Sequence, residues 1–460
     1  MMNVPARALY LSLQVLFAPC CLEAQLLSTK IRLSDWGLKS LSEVQFGQLN
    51  VSTEKGRSRL IVQSLKTEIP VRRNYVFRVD TCTSQENNEE EEGNRAVQKA
   101  TWIWNTTQLL ADTSERARMV EFLAAEGFDR VFLQLPIPKE TRGGTFSIDS
   151  PSLRALIAAF SSRGISVDAL DGDPHWVLPQ NHSHAARAIE LVKRYNGNAR
   201  CAERFSGLHF DIEPHLVPGF GGTRRPWILE QFLLLIKNLS QQALAEGLSI
   251  GIDVPCWLDA PDEFTGEIDS VTLDGLRRPV LEHLLPLVRE VCVMSYRTNA
   301  TGQNGILEIV RGEMGLAQRL GCKVFVSVET GELADERIFW FRGRSHRELP
   351  QETGDSHFVV ALAERDSAEL VLVPPWELGR HIHALERQRG EKVDFVWWRV
   401  GHSVDIPSKH QTFAPLGSSI LSESVDRVLQ EFGECSAFAG IAFHHAASYQ
   451  AVVRGRLQQR

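Results

Sequence analysis

The chain has 460 residues, of which 43% are hydrophobic and 23% are charged, and 57 acidic against 50 basic side chains give a net charge of −7. This length is sufficient for one large domain with a sizeable core and for smaller additional pieces. The composition is that of a globular protein, and the acidic balance argues against a nucleic-acid-binding surface. We therefore predict no nucleic-acid partner.

The N-terminus has the pattern of an export signal. Arg7 precedes a short apolar run at residues 9–17, and small or turn-forming residues continue to Ala24. The run is too short to be a permanent membrane anchor. We therefore expect residues 1–24 to be a cleaved signal peptide. The protein would be exported, either secreted or periplasmic, with no permanent membrane span in the mature chain.

Six cysteines remain after such a signal is removed. They lack Cys-x-x-Cys spacing, and several lie in or beside apolar runs. An oxidising compartment would permit disulfides between them, but buried free thiols fit the pattern equally well. Both interpretations stay open for Cys82, Cys201, Cys256, Cys292, Cys322 and Cys435.

Residues 25–85 are predicted to form a small β-rich N-terminal domain. Strand-like runs occur at 60–65 and 75–79, with Pro70 between them. A polar stretch at 86–98 follows, with four consecutive glutamates at 89–92, and we interpret it as a solvated acidic linker.

From residue 99 to 460 the pattern is that of an α/β protein, with apolar strand-like runs alternating with amphipathic helical stretches. The strand-like runs are 101–104, 130–136, 165–170, 207–213, 248–254, 291–296, 323–329 and 438–443. The helical stretches between them include 114–126, 151–163, 184–195, 227–246 and 306–320. Eight such strands predict a (β/α)8 TIM barrel. No Gly-x-Gly-x-x-Gly or Walker loop follows a strand, which argues against a nucleotide-binding open sheet.

The seventh and eighth predicted strands are separated by about a hundred residues. One helix cannot account for this length, so we predict an insertion at about 332–435. We interpret it as a lid or a substrate-binding wall.

The fourth predicted strand contains the most informative motif of the chain, Gly-Leu-His-Phe-Asp-Ile-Glu-Pro at 207–214. Residues two apart on a strand share a face, so His209, Asp211 and Glu213 would lie on one side. Ionisable groups in a row on a buried strand are costly without partners or a function. Their place at the carboxyl end of a barrel strand is where catalytic residues lie in this fold.

The other strand ends also carry polar and aromatic residues, which would converge on one mouth. Glycoside hydrolysis requires two carboxyl groups, one as acid and one as nucleophile or base. We predict Glu213 and Glu329 as this pair, with Asp211 beside Glu213 as a third catalytic residue. The predicted substrate-binding residues are Trp104, Asp168, His209, Asp253, Trp257, Tyr296, Arg297, His444 and His445.

Two of these motifs resemble family 18 glycoside hydrolases. Residues 205–213 are similar to the strand-four signature ending in Asp-x-Glu, and Met294, Ser295 and Tyr296 resemble a strand-six Met-x-Tyr-Asp motif. The resemblance implies that Glu213 is the general acid and that Asp211 orients the N-acetyl group of the substrate, with Tyr296 helping to hold it.

The chain departs from the family 18 pattern at three positions. Ser206 and His209 replace the first two acids of the strand-four signature, and Arg297 replaces the Asp after Tyr296.

Glu213 and Glu329 also resemble the acid and nucleophile of the large clan of retaining glycosidases, in which an Asn commonly precedes the strand-four Glu.

The sequence therefore predicts an exported glycosidase with a carbohydrate substrate and no cofactor or metal, and it predicts no oligomeric state. Two alternatives stay open. One is a metal-dependent hydrolase of phosphodiester or amide bonds. Its ligands would come from His175, His209, Asp211, Glu213, His215, His444 and His445. The other is a non-catalytic glycan-binding barrel.

Overall fold

The computed structural model describes residues 26–54, 57–68, 97–137, 147–261, 267–350, 356–364, 366–374 and 376–455. The predicted signal peptide, the strand at 75–79 and nearly all of the linker at 86–98 lie outside these residues. Two compact units are present. The first comprises the described residues of 1–72, 215–228 and 333–408, and the second comprises those of 73–214, 229–332 and 409–460.

The strands are numbered in chain order. They are β1 (Leu27–Arg32), β2 (Phe46–Glu54), β3 (Arg57–Lys66), β4 (Gln98–Ile103), β5 (Arg130–Gln134), β6 (Ser166–Asp171), β7 (Gly207–Phe210), β8 (Ile250–Pro255), β9 (Ser270–Leu273), β10 (Leu276–Pro279), β11 (Glu290–Met294), β12 (Lys323–Glu329), β13 (Asp335–Arg342), β14 (Phe358–Ala363), β15 (Ser367–Val373), β16 (Phe395–Ile406) and β17 (Phe438–His444).

The helices are numbered in the same way. They are α1 (Thr106–Ala111), α2 (Thr113–Ala125), α3 (Pro151–Ser161), α4 (His182–Asn198), α5 (Arg225–Ala245), α6 (Val280–Leu284), α7 (Ile306–Ile309), α8 (Arg311–Leu320), α9 (Leu378–Arg389), α10 (Ser418–Phe432) and α11 (Ala446–Val453). Among the described residues, none of the helices combines the length and the apolar character that a membrane crossing requires.

Eight parallel strands of the second unit close into a barrel, in the order β4-β5-β6-β7-β8-β11-β12-β17. This confirms the predicted (β/α)8 fold. Alternate residues of each strand face inward, and the packed interior contains Ala100, Trp102, Phe132, Leu170, Cys292, Phe325 and Ala442. The carboxyl ends of all eight strands lie at one rim, which we call the mouth, and the opposite rim is called the lower rim.

Local chemistry explains where the first barrel helices begin. The Asp112 carboxylate accepts hydrogen bonds from the Ser114 and Glu115 amides at 2.8 and 3.0 Å, which caps α2. Ser150 caps α3 in the same way, and Pro151 occupies its first turn, where no amide hydrogen is needed. These caps determine the residues at which α2 and α3 begin.

The insertion is shorter than predicted. Helix α10 belongs to the barrel unit and buries Leu421, Val428 and Phe432, so it is the helix expected between the seventh and eighth barrel strands. The interruption is therefore confined to residues 333–408. The predicted end at 435 is wrong because the amphipathic run at 418–432 completes the barrel.

The N-terminal strands do not form a small domain of their own. Strands β1 to β3 join four strands of the insertion in one antiparallel sheet, in the order β1-β15-β14-β16-β13-β2-β3. One face of this sheet packs a core that includes Trp36, Leu49, Phe341 and Trp398. The two segments that the sequence suggested as separate pieces are thus one unit.

The described cysteines Cys201, Cys256, Cys292, Cys322 and Cys435 are all free thiols, and Cys82 lies outside the described residues. None of these five forms a disulfide, and of the five only Cys292 and Cys322 are the buried free thiols of the second interpretation.

Candidate active site

Tyr296 lies near several carboxylates at the mouth. It follows the end of β11 by two residues and is partly exposed. Burial raises the pKa of its hydroxyl well above the usual value, and four nearby carboxylates raise it further. In order of decreasing effect, they belong to Glu329, Asp253, Asp211 and Glu213. Four of the predicted site residues, all of them acids, thus lie near Tyr296, which is itself a predicted site residue.

Asp211 and Glu213 continue past the hydrogen-bonded part of β7. Ile212 between them is fully buried while both acids are partly exposed, so the alternation of the strand persists beyond its end. The Asp211 amide donates to the Asp171 carbonyl at 3.1 Å. A Cβ on Gly172 would lie 2.0 Å from the Asp211 carbonyl oxygen, so only glycine permits this approach. Backbone contacts therefore fix the two acids while each residue stays partly open to solvent.

Glu329, the predicted second carboxylate of a retaining pair, is only 1% exposed. Its Oε1 accepts from the Gly331 amide at 2.7 Å, and its Oε2 accepts from His444 Nδ1 at 2.9 Å. The His444 Nε2 accepts from Trp104 Nε1 at 3.1 Å, which assigns the proton of this ring to Nδ1. A nucleophile or base must reach the sugar or a water molecule. This geometry therefore favours Glu329 as a structural acid that orients His444.

Two residues predicted to bind substrate, His209 and Asp253, lie inside the barrel beneath the mouth. The His209 ring is fully buried and stacks on Phe132, with 3.9 Å between ring centroids. Its Nε2 lies 3.0 Å from Asp253 Oδ1, and Asp253 Oδ2 accepts from Trp102 Nε1 at 3.2 Å. Burial lowers the pKa of His209 to about 4 and raises that of Asp253 well above its usual value. Both side chains therefore belong to the barrel interior below the strand ends, and their direct contact with substrate stays a prediction.

Asp168 lies towards the lower rim, away from the mouth. It is the third residue of β6, and its register partners are Phe132 and Gly207, the first residue of β7. Its carboxylate pairs with Arg130 at 2.6 Å, and Arg130 also pairs with Glu290 at 2.8 Å. The predicted role of Asp168 in substrate binding is wrong, because its fully buried side chain balances the charge of Arg130.

The other predicted binding residues follow or end barrel strands at the mouth. They are all partly exposed: Trp104, Trp257, Tyr296, Arg297, His444 and His445. Arg297 Nη1 donates to the Tyr296 carbonyl at 2.8 Å, and the His445 amide donates to Ser448 Oγ at 2.9 Å. Their contacts with a substrate stay predictions.

Trp102, which the sequence analysis did not identify, holds the Asp253 carboxyl group beneath the mouth. It is 1% exposed and its indole donates to Asp253 at 3.2 Å. A signal for it exists in the sequence, since Trp102 and Trp104 are two residues apart on one strand and therefore share its inner face. Such a pair predicts one indole inside the barrel and one at its mouth.

Within the part of the chain that the structure describes, one group of side chains has the spacing of metal ligands. The ligand atoms of His209, Asp253 and Cys292 lie within 4.8 Å of one another, and all three residues are buried. This set shares only His209 with the predicted metal-site alternative. A catalytic metal needs a coordination position open to substrate, and a fully buried trio inside the barrel does not provide one. The geometry therefore does not favour a metallohydrolase.

The second unit is a (β/α)8 barrel with carboxylates and aromatic side chains at its mouth. Among solved structures, the chain is similar to the C-terminal domain of a putative chitinase from Desulfitobacterium hafniense, with 11% identity, a TM-score of 0.41 and coverage of 79% of this chain and 99% of that one. It is similar to a class V chitinase from Pseudomonas fluorescens, with 11% identity, a TM-score of 0.38 and the same coverage. It is also similar to a family 18 N-acetylglucosaminidase from Paenibacillus barengoltzii, with 12% identity, a TM-score of 0.37 and coverage of 79% and 99%.

No family model matches the sequence, and no curated protein matches it. The predicted (β/α)8 fold is confirmed by the closed barrel itself, and the resemblance of the short motifs to family 18 stays a prediction.

Proposed function

We propose that the protein hydrolyses a glycosidic bond next to an N-acetylated sugar, with Glu213 as the general acid. The observation that carries this proposal is the convergence of Asp211 and Glu213 on Tyr296 at the mouth. Both acids are partly exposed and held by the end of β7, whereas Glu329 and Asp253 are buried. The motif resemblance assigns the same two residues to substrate-assisted catalysis.

In the first step Glu213 donates its proton to the glycosidic oxygen, and the bond from this oxygen to the anomeric carbon breaks. The acetamido oxygen of the substrate attacks the anomeric carbon from the opposite face. The Asp211 carboxylate accepts a hydrogen bond from the acetamido N–H and stabilises the positive charge that develops there. The Tyr296 hydroxyl keeps its proton, because burial raises its pKa, and donates to the acetamido group.

In the second step Glu213, now ionised, removes a proton from a water molecule that attacks the anomeric carbon. The bond to the acetamido oxygen breaks, and Glu213 regains the proton that it gave away. Two carboxylates on one strand end are sufficient for this cycle, since the substrate supplies the nucleophile. Burial of Glu329 supports this route over one that uses Glu213 and Glu329 as a retaining pair.

The partly exposed aromatic residues at the mouth fit a carbohydrate substrate. Trp104, Trp257 and Tyr296 offer ring faces or edges on which a sugar ring can pack. We extend the proposal to export through residues 1–24. The measurement for export is the N-terminal sequence of the mature protein, which should begin near residue 25.

The test is hydrolysis of paired aryl glycosides and oligosaccharides that differ only in the N-acetyl group. The variants are Glu213→Gln, Asp211→Asn and Glu329→Gln, and the control is Glu423→Gln, an exposed change on α10. We expect turnover of the N-acetylated substrates alone. Glu213→Gln should lower kcat by about 10²–10⁴, as for loss of a general acid. Asp211→Asn should lower it by a similar factor, and Glu423→Gln should not change it.

Glu329→Gln separates the two carboxylate mechanisms. A loss of kcat as large as that of Glu213→Gln, with equal turnover of both members of each substrate pair, would establish the retaining pair instead. Turnover that requires added divalent metal would favour the metallohydrolase. Binding of oligosaccharides without any turnover would identify a glycan-binding barrel.

A further inference from the structure

A buried hydrogen bond between His209 and Asp253 lies directly beneath the proposed catalytic residues. The two atoms that it joins, His209 Nε2 and Asp253 Oδ1, are 3.0 Å apart, and the second carboxyl oxygen of Asp253 accepts from the Trp102 indole. His209 is fully buried and Asp253 is 4% exposed. One proton lies between the imidazole and the carboxyl group, and either residue can own it.

The other ring nitrogen of His209 faces the lower rim. A Cβ on Gly251 would lie 2.8 Å from His209 Nδ1 and 3.0 Å from Glu290 Oε1, so both atoms border the small space beside this glycine. Among the described residues, Nδ1 has no direct hydrogen-bond partner. Buried polar atoms in such a polar pocket are commonly joined through a water molecule.

Both carboxyl oxygens of Glu290 accept from guanidinium groups. Its Oε2 pairs with Arg130 at 2.8 Å, and its Oε1 pairs with Arg289 at 3.0 Å. Asp168, which pairs with Arg130 at 2.6 Å, adds a second carboxylate on this side of the imidazole. A ring nitrogen that faces carboxylates must carry a hydrogen, because a lone pair there would meet only other lone pairs.

We propose that His209 is a neutral imidazole protonated at Nδ1, and that Asp253 is a neutral carboxylic acid which donates its proton to His209 Nε2. Burial supports both states, since it lowers the pKa of His209 to about 4 and raises that of Asp253 well above its usual value. The groups that face Asp253 from the surrounding elements are Trp102, His209, Glu213, Cys292, Tyr296 and His444.

A neutral Asp253 is a positioning residue for the mouth. Glu213 is among the groups that raise the pKa of Asp253, so the two carboxyl groups repel each other when both are ionised. With Asp253 neutral, the negative charge beneath the mouth is lower by one unit, and this repulsion is removed. This catalytic consequence rests on the proposed function, whereas the protonation state of Asp253 does not.

The experiment is nitrogen-15 NMR of the full chain labelled at histidine, near neutral pH and without substrate. The His209 signals are identified by their loss in His209→Gln. We expect the shift of a protonated Nδ1 and an unprotonated Nε2. Asp253→Asn should keep this tautomer, because the amide donates to Nε2 and its oxygen still accepts from Trp102. A protonated Nε2 in the wild type would overturn the proposal.

Kinetics supply the second readout. We expect Asp253→Ala to lower kcat by about tenfold or more and to shift the acidic or basic limb of the pH profile. Asp253→Asn should restore most of the lost kcat and the wild-type pH profile, since it replaces one neutral donor by another. Failure of Asp253→Asn to rescue would show that an ionised Asp253 is needed.

The proposed function and the neutral state of Asp253 can each be overturned without the other. A wild type without glycosidase activity but with the expected His209 tautomer would overturn the proposed function alone. An active wild type with Nε2 protonated would overturn the neutral Asp253 alone. If Asp253→Ala does not fold, the tautomer of the wild type and the pH profile of Asp253→Asn still decide the matter.

Discussion

Asp171 illustrates at the residue scale how the fold places an acid beside the mouth at a cost in stability. It is the last residue of β6, and its carbonyl accepts the Asp211 amide at 3.1 Å. Burial raises the pKa of its carboxyl group to about 7, and Asp173 contributes in the same direction. The backbone contact with Asp211 thus brings Asp171 into a site that disfavours its charged form.

We predict that Asp171→Asn stabilises the protein more at alkaline than at acidic pH. The folded-state pKa of Asp171 is above its unfolded value of 3.8, so the folded state binds more protons between these values. Stability is therefore lost as the pH rises towards about 7 and is constant beyond it. Asparagine has no such proton, and its oxygen still accepts from the Gly172 amide.

The measurement is the thermal unfolding midpoint of wild type and Asp171→Asn at about pH 5 and about pH 8. The difference between the two proteins should grow with pH. Asp426→Asn, an exposed change on α10, serves as the control and should show no such growth. A constant difference across the range would contradict a raised pKa of Asp171.

The roles of single acids were only partly predictable from the sequence. The alternation around Ile212 was sufficient to place Asp211 and Glu213 on one face, and the structure agrees. Asp168 lies below the mouth because it pairs with Gly207, the first residue of β7. This register depends on both strands, so the pattern of one strand does not predict it. The burial of Glu329 depends on His444, which lies far along the chain and meets it only in the closed barrel.

At the scale of elements, the loop after β8 is fixed against the start of α8. The loop carries Trp257, and a Cβ on Gly312 in α8 would lie 1.8 Å from the Asp259 carboxylate. Glu313, the next residue of α8, is fully buried. Burial raises the pKa of its carboxyl group well above the usual value, and the nearby Asp259 carboxylate raises it further. Glu313 therefore keeps its proton, and its carboxyl group lies close to that of Asp259 where the loop meets the helix.

We predict that Gly312→Ala destabilises the protein although alanine is the better helix former. In an open helix position this change stabilises by about 0.5–1 kcal/mol. At Gly312 the new methyl group would displace Asp259 and strain a packed region, at a cost of about 1–3 kcal/mol. The shift of the loop should also raise KM through Trp257.

Gly315→Ala on the same helix is the matched control, because its Cβ would meet only the end of the Arg319 side chain at 3.9 Å. It should stabilise the protein by up to about 1 kcal/mol in urea unfolding and leave KM unchanged. Equal effects of the two substitutions would show that Asp259 does not hold the loop against α8.

At the scale of the molecule, the barrel was predictable and the other unit was not. Each barrel strand is a local apolar run, and each is followed by a helix that the chain order places next to it. The sheet of the first unit pairs β1 with β15 and β2 with β13, strands that lie on opposite sides of most of the barrel sequence. Antiparallel pairing at this separation leaves no local pattern beyond the strands themselves, so the two halves were predicted as unrelated pieces.

The barrel is closed by its own contacts where the chain leaves for the first unit and returns from it. Thr412 Oγ1 donates to the Gly331 carbonyl at 2.6 Å, and the Phe413 amide donates to the Glu329 carbonyl at 2.9 Å. The Lys409 carbonyl accepts from Thr298 Oγ1 at 2.9 Å. The two ends of the insertion are therefore adjacent, and a short linker can join them at little cost in loop entropy.

We predict that a variant which begins at residue 97 and carries a short Gly-Ser linker in place of 334–407 folds as a barrel. It should unfold cooperatively in urea with helical circular dichroism. Its stability should be lower than that of the whole protein, because Val217 and Phe220 of the first unit lose their burial. A variant that loses only 334–407 is the control and should aggregate, since β1 and β2 lose their partners β15 and β13 and expose unpaired strand edges.

The same variant tests whether the first unit shapes the substrate range, as the lid or wall interpretation of the insertion requires. Short aryl glycosides need only the residues of the barrel mouth, so their turnover should persist. If the insertion is a lid or a substrate-binding wall, the KM of longer oligosaccharides should rise in this variant relative to that of the aryl substrates. An unchanged ratio of kcat/KM between long and short substrates would mean that the first unit has no part in substrate binding, and that all selection occurs among the residues around Tyr296.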